Sequence, residues 1–246
     1  MKEQRDEPEK ALVKKMYDAA ITAIVSGITQ PYLGAGLLAT GIGSALSAMA
    51  PHILDKAIEH RQRNKDWAIE IALRTFDEGV DIFKERLSSD VERVELFVRV
   101  LEAAAPTTLD AKVIALGRVL AYGLEEDADM GEAFMLAAAL ADMEGPHILV
   151  LQRIHEQPVA PEETRTNQER GWDKNDIAQV MPEYNTTLDG ILATLSRHGL
   201  LMDVGRVNYP GSVGPTIWTI SPLGSRIVFL LSYEVELLLR QMQEEE

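Results

Sequence analysis

The residues that most invite a chemical interpretation form an acidic turn in the middle of the chain. Residues 125–129 read Glu-Glu-Asp-Ala-Asp, so four carboxylates fall within five positions. Carboxylate oxygens bind hard cations such as Ca²⁺, but an EF-hand loop needs acids at alternate positions, a central Gly and a closing Glu at the twelfth position. Only fragments of that pattern are present. We therefore interpret the turn as a solvated loop and expect no metal site.

Neither the histidines nor the glycines complete a familiar site. No two of the five histidines have the i, i+4 spacing of a zinc helix, and His155-Glu156 lacks the second His of H-E-x-x-H. Gly34-Ala-Gly36-Leu-Leu-Ala39 fits the loose dinucleotide pattern, with Asp55 about 20 residues on, but no strand precedes it and no βαβ alternation follows. Nucleophile elbows, phosphate loops and kinase signatures are absent from the sequence. We predict a non-enzymatic protein with no catalytic, cofactor-binding or metal-ligating residues.

The composition is that of a globular protein with an acidic surface. The 246 residues are 46% hydrophobic and 26% charged, and 24 Lys and Arg against 39 Asp and Glu give a net charge of −15. Nucleic acid or anionic lipid would need a local basic patch to overcome that charge. The absence of Cys excludes disulfides, and residues 1–10 form a mixed-charge tail rather than a secretory signal. We expect a cytoplasmic location.

One uncharged block interrupts this pattern. Residues 19–54 carry no formal charge, and Pro31 divides the block so that its second part, 32–50, is just long enough to span a bilayer. The small residues that would form a helix-packing or membrane face include Gly34, Gly36, Gly41 and Gly43. Two interpretations are open: a buried helical hairpin, or membrane contact. The Gly, Ala and Ser content and the lack of an interfacial Trp or basic cluster favour burial.

Helical periodicity and helix-breaking residues organise the middle of the chain. Apolar positions recur at helical spacing over residues 52–87, with a break expected at Gly79, and further helices are expected to begin after Asp90 and at Thr108. Residues 157–172 are polar and read as a linker. We therefore predict a mainly α protein with three parts: an all-helical bundle with the Gly-rich hairpin over 1–156, the linker, and a second domain over 173–246.

The second domain has the element order helix, helix, β-hairpin, helix. Strands are expected at 200–207 and 216–220, and Ser221-Pro222 begins the final helix. The segments Leu192-Ala-Thr-Leu-Ser-Arg-His-Gly-Leu-Leu201 and Trp218-Thr-Ile-Ser-Pro-Leu-Gly224 resemble the winged helix-turn-helix of many bacterial regulators, with Ser221 in place of the common Thr. The resemblance implies a C-terminal winged helix.

The whole layout also resembles a group of uncharacterised bacterial helical proteins, some suspected of roles in phage defence or abortive infection. The matching features are the segment ending at Pro51, the charged helix with Arg61 and Arg63, residues 103–123 and Met143-Glu-Gly-Pro-His-Ile-Leu-Val-Leu151. These motifs are diffuse, and they bring no catalytic residue. They imply an effector role in defence.

The predicted winged helix is poorly suited to DNA. Residues 172–246 contain five Lys and Arg against ten Asp and Glu, although phosphate contacts normally supply much of the affinity for DNA. The residues that would contact nucleic acid or a protein partner are Thr187, Thr194, Arg197 and Arg206. We therefore expect partner contact or self-assembly as the main function, with a DNA-binding transcriptional regulator as the alternative.

The last helix is apolar on more than one face. Such a helix must pack on two sides, so it either docks onto the bundle or forms an oligomer seam. The candidate seam residues are Leu230, Leu231, Leu237 and Leu238. We expect a homo-oligomer.

Overall fold

The computed structural model describes residues 46–76, 78–156, 171–206 and 216–231, and for residues 46–55, 205 and 206 it describes the backbone alone. The predicted hairpin glycines Gly34, Gly36, Gly41 and Gly43 lie outside the described residues. Within them the chain is mainly helical with one small antiparallel sheet, which confirms the mainly α prediction. None of the described helices is long and apolar enough to cross a membrane.

Six helices form the N-terminal bundle. They are α1 (Leu46–Thr75), α2 (Val80–Ser89), α3 (Val91–Ala104), α4 (Asp110–Gly123), α5 (Met130–Asp142) and α6 (Gly145–His155).

The helix boundaries follow from local chemistry. Gly79 separates α1 from α2 at φ 90°, a backbone conformation that costs glycine little and other residues more, which confirms the predicted break. The Asp90 side chain accepts a hydrogen bond from the Glu92 amide and so caps α3. Helix α4 begins at Asp110, two residues later than expected, because Leu109 has extended backbone. Pro51 lies within α1, whose described part begins at Leu46.

Helix α4 is the centre of the bundle. It packs against α1, α3 and α5, and most of its side chains are buried. Its crossing with α1 is close: a Cβ built on Gly117 would lie 2.6 Å from the carbonyl oxygen of Ala68 and 2.8 Å from the Cβ of Ile71. Glycine is therefore required at this position by the approach of two backbones.

The C-terminal module follows the predicted order of elements. It consists of α7 (Lys174–Val180), a 3₁₀ turn (Pro182–Tyr184), α8 (Leu188–Arg197), β1 (Leu201–Arg206), β2 (Thr216–Ile220) and α9 (222–231).

The two strands are antiparallel, and Leu201 is paired with Ile220. Trp172, at the end of the predicted linker, is buried and exchanges two backbone hydrogen bonds with Trp218 of β2. Trp172 therefore belongs to the folded module, where it extends the sheet by one bridge beyond β2.

The start of α9 explains the Ser-Pro-Leu-Gly sequence physically. The Ser221 hydroxyl donates to the carbonyl oxygen of Gly199 at 2.6 Å and accepts from the Gly224 amide at 2.9 Å, as an N-cap does. A Cβ on Gly224 would lie only 2.2 Å from the Leu200 carbonyl oxygen. The serine thus fixes the helix start, and the glycine allows α9 to lie against the beginning of β1.

The bundle and the C-terminal module share one hydrophobic core. Helix α6 packs against α8 and β2, and buried residues of α6, α8 and α9 belong to the same cluster as those of α3, α4 and α5. The guanidinium of Arg153 on α6 also lies 5.4 Å from the ring centre of Trp172.

Candidate interaction site

Helix α8 carries two of the four predicted contact residues, Thr194 and Arg197, follows directly after a third, Thr187, and buries only one of its faces. The buried residues are apolar and recur at spacings of three and four, as Leu188, Ile191, Leu192 and Leu195. Thr187 and Arg197 are exposed and Thr194 is half-buried, so all three lie at least partly at the surface. Arg206 lies in β1, where the structure describes only its backbone. The helix thus has a partly polar outer face that a partner could contact.

Thr187 does not cap α8 with its side chain. Its hydroxyl donates to the carbonyl oxygen of Tyr184 at 3.2 Å instead, and no amide of α8 bonds to it. Residue 187 has φ −108° and ψ −4°, whereas a capping residue has extended backbone that turns its oxygen toward the helix amides.

Arg197 is held by the bundle. Its guanidinium forms an ion pair with Asp142, at the end of α5, with 2.8 Å between Nη2 and Oδ2. The Nε2 atom of His198 lies 3.0 Å from the same carboxylate oxygen. Arg197 and Asp142 are 65% and 51% exposed, so water and salt screen the pair and its contribution to stability is small. Its consequence is positional, because it directs the α8 cation toward the bundle.

The remaining described cations of the module are paired in the same way. Lys174 lies 2.6 Å from Asp189, which joins α7 to α8. Arg226 on α9 forms an ion pair with Glu132 on α5. Every Lys and Arg side chain that the structure describes between residues 171 and 231 is therefore matched with a carboxylate. The sequence predicted the charge deficit of this module, and the structure adds that its cations are neutralised locally.

Arg226 belongs to a network that fastens α9 to the bundle. Its guanidinium carbon lies 4.1 Å from the centre of the Tyr122 ring, and the Tyr122 hydroxyl is 2.9 Å from the Glu132 carboxylate. Arg118 on α4 donates to the carbonyl oxygen of Leu230 at 2.8 Å. These contacts place α9 against α4 and α5, one of the two arrangements that its apolar faces predict.

The docking of α9 on the bundle buries part of the candidate oligomer seam. Leu231 is buried in the core of the chain itself, and Leu230 is half-buried against it. Leu237 and Leu238 lie outside the described residues. The neighbouring Phe229 is 65% exposed, so α9 still presents apolar surface outward. The oligomer seam stays a prediction.

Lys112 is buried next to the turn between α5 and α6. Its amine donates to the carbonyl oxygens of Ala141 and Met143 at 2.9 and 2.8 Å, and the Glu144 carboxylate is 3.9 Å away. The last carbonyls of a helix have no partner within it and carry the negative end of its dipole, so a cation stabilises the end of α5. Burial lowers the pKa of Lys112, and the Glu144 and Asp142 carboxylates oppose that shift.

His147 completes the turn after α5. Its Nδ1 atom accepts a hydrogen bond from the Glu144 amide at 3.1 Å, as part of a capping box at the start of α6. Burial lowers the pKa of His147, while Glu144 opposes that shift. The neutral ring is the form that can accept this bond.

Asn64 stabilises the end of α3 by donating to carbonyl oxygens there, as Lys112 does at the end of α5. Its side-chain amide, 1% exposed, donates to the carbonyl oxygens of Ala104 and Thr107 at 3.2 and 2.7 Å. His60, one turn earlier on α1, also lies 3.0 Å from the Thr107 oxygen. Sequence reasoning missed both Lys112 and Asn64. The available signal for Lys112 was a cation within an apolar helical pattern, which marks a buried group that must find partners, whereas Asn64 stands in the polar run of residues 59–66 and gave no such signal.

The acidic turn is part of the fold. The Asp129 side chain accepts from the Glu132 amide and caps α5. Arg86 and Arg93 donate to the carbonyl oxygens of Leu124 and Glu125 at 3.0 and 3.1 Å. No group of three or more His, Asp or Glu that could hold a metal ion occurs in the described ranges.

Comparison of the chain with protein-family models, with curated proteins and with solved structures gave no match.

Proposed function

We propose that this is a non-enzymatic interaction and assembly protein whose C-terminal module is a winged helix that contacts protein rather than DNA. One observation carries the proposal: Arg197, the cation of the helix that would enter the DNA groove, forms an ion pair with Asp142 of the bundle. A protein that recognises a DNA sequence needs such cations to point toward phosphates and base edges. Here the cation is directed at the protein's own carboxylate.

The charge of the module supports the same conclusion. Residues 172–246 contain five bases against ten acids, and Lys174 and Arg226 are also paired with carboxylates. Each cation that moves to a phosphate would leave a carboxylate unpaired next to the anionic duplex. A protein partner does not require these cations to leave their carboxylates. It can instead contact the polar side chains of α8 and the exposed apolar ring of Phe229.

The biological setting that we propose comes from the resemblance alone. It is an abortive-infection effector in the bacterial cytoplasm that works as a homo-oligomer. Residues 19–54 are either sheltered in a hairpin or brought to a membrane on activation, and Leu237 and Leu238 contribute to contact with a second copy.

The alternative function is a winged-helix transcriptional regulator. The order of α7, α8, the hairpin and α9 favours it, since the same order positions a recognition helix in DNA-binding proteins. Thr194 and Arg197 would then face the bases and Arg206 a phosphate.

A duplex-binding titration separates the two functions. We expect no salt-sensitive binding of a fluorescent duplex at low ionic strength, by anisotropy, for the wild-type protein or for Asp142→Asn, which releases Arg197 from its ion pair. Tight binding that falls steeply with salt and is abolished by Arg197→Ala with Arg206→Ala would refute the protein-contact function.

The native mass of the full chain tests the assembly function, and cell fractionation tests the location. We expect a homo-oligomer whose mass falls when Leu237 and Leu238 are replaced by Ser. A strictly monomeric protein over the whole micromolar range would contradict self-assembly, and recovery with the membrane fraction before any activation would contradict the sheltered hairpin.

A further inference from the structure

An open groove of about 840 Å³ runs along one face of α1 and reaches Asp110 at the start of α4. Its lining positions on α1 recur at spacings of three and four residues, so they form one stripe. Residues 59–70 cover three helical turns, about 16 Å. Ile58, 58% exposed, and the half-buried Trp67 give the groove apolar surface.

The groove is strongly acidic. Glu59, Asp66, Glu70 and Asp110 line it against a single cation, Arg63, which gives a net charge of −3. Glu70 is paired with Arg74, but Glu59, Asp66 and Asp110 form no ion pair within the part of the chain that the structure describes. Desolvation by burial also raises the pKa of Asp66, so its carboxylate lies where a cation would stabilise it.

One segment of the chain has the complementary chemistry. Residues 10–17 read Lys-Ala-Leu-Val-Lys-Lys-Met-Tyr, which combines three lysines with Leu, Val, Met and Tyr and contains no acid. Its charge of +3 equals that of the groove with the opposite sign. The other cations before α1, Lys2 and Arg5, stand among Glu3, Asp6 and Glu7, so that residues 2–7 have a net charge of −1.

We propose that residues 10–17 bind in the α1 groove of the same chain, with their lysines on its carboxylates and their apolar side chains on Ile58 and Trp67. The 28 residues between Tyr17 and Leu46 can span roughly 90 Å when extended, several times the distance from the start of α1 to the groove. A tether of this length raises the local concentration of the segment far above that of a free peptide. This binding does not depend on the function of the C-terminal module.

Disulfide trapping tests the proposal in the full chain, which has no natural cysteine to interfere. Ala11→Cys with Gln62→Cys places one thiol in the segment and one in the groove without changing any charge. Ala11→Cys with Ser196→Cys is the matched control, because Ser196 is exposed on α8. Under mild oxidation at low salt we expect at least fivefold more intramolecular disulfide in the groove pair than in the control pair.

Charge reversal makes the test specific. Lys14→Glu with Lys15→Glu should reduce trapping in the groove pair at least fivefold, and Asp66→Lys with Asp110→Lys added to these changes should restore it. Ile58→Cys replaces Gln62→Cys if the latter fails to fold. Equal trapping in both pairs, or trapping unaffected by charge reversal, would overturn the proposal. A disulfide found only in dimers would also overturn it, because the occupant would then be a second copy.

Discussion

The crossing of α1 and α4 gives a quantitative test of the bundle through Gly117→Ala. The added Cβ would lie 2.6 Å from the Ala68 carbonyl oxygen and 2.8 Å from the Ile71 Cβ, neither of which can rotate away. Ordinary contact is about 3.5 Å, so the two helices must separate locally by about 0.8 Å. Overpacking of this kind costs up to about 3 kcal/mol, and the better helix propensity of alanine returns about 1 kcal/mol. We expect a net loss of about 2 kcal/mol.

Urea unfolding followed by far-UV circular dichroism measures this loss, with Gly190→Ala as the matched control. Gly190 is also helical, on α8, but no atom lies within 4 Å of the position that an added Cβ would take. The control should therefore gain up to about 1 kcal/mol from propensity alone. In a chain of this size, about 2 kcal/mol corresponds to a fall in Tm of about 4–8 °C. A Gly117→Ala protein as stable as wild type, alongside a stabilised Gly190→Ala, would refute the close crossing.

Three further experiments test the polar contacts. Lys112→Met should destabilise the protein by about 2 kcal/mol at pH 7 in urea unfolding, because the α5 carbonyls lose a charged donor. Since the folded pKa of Lys112 is lowered, the stability of the wild-type protein should rise as pH increases toward 10.5, and this rise should be smaller in the variant. Asp66→Asn should be at least as stable as wild type at pH 7, because a carboxyl whose folded pKa is raised loses its stabilising contribution as pH rises through that pKa. The stability advantage of the variant should vanish below pH 3.8, and a variant less stable than wild type at pH 7 would contradict this. A double-mutant cycle with Asp142→Asn and Arg197→Ala should give a coupling below about 1 kcal/mol in thermal unfolding, since both partners are more than half exposed, and a larger value would show a dominant structural role for the pair.

Local features of the fold could be read from the sequence because their causes are local. The break at Gly79, the cap at Asp90 and the apolar stripe of α8 depend on backbone preference, one side-chain hydrogen bond and helical periodicity. The Thr187 hydroxyl donates to the Tyr184 carbonyl oxygen rather than accepting from an amide of α8, and sequence spacing does not specify that competition.

The sequence predicted which residue types the candidate site contains, but not which residues would pair with one another. The sequence placed Arg197 on the outer face of a helix and showed that its module lacks positive charge. It could not show that Asp142, 55 residues away, would meet that arginine, or that Asn64 and Lys112 would cap helices belonging to other parts of the chain. Long-range pairs of this kind depend on how helices cross.

The sequence by itself determined a mainly helical, acidic and cysteine-free chain, the positions of its helix breaks and a hairpin followed by a helix at its C-terminal end. Only the tertiary structure decided that α9 docks on α4 and α5, that the described cations of the C-terminal module are paired, and that carboxylates of α1 and α4 share one groove. The physical reason is range: periodicity and capping act over a few residues of one chain segment, whereas charge pairing and groove formation depend on surfaces brought together by packing.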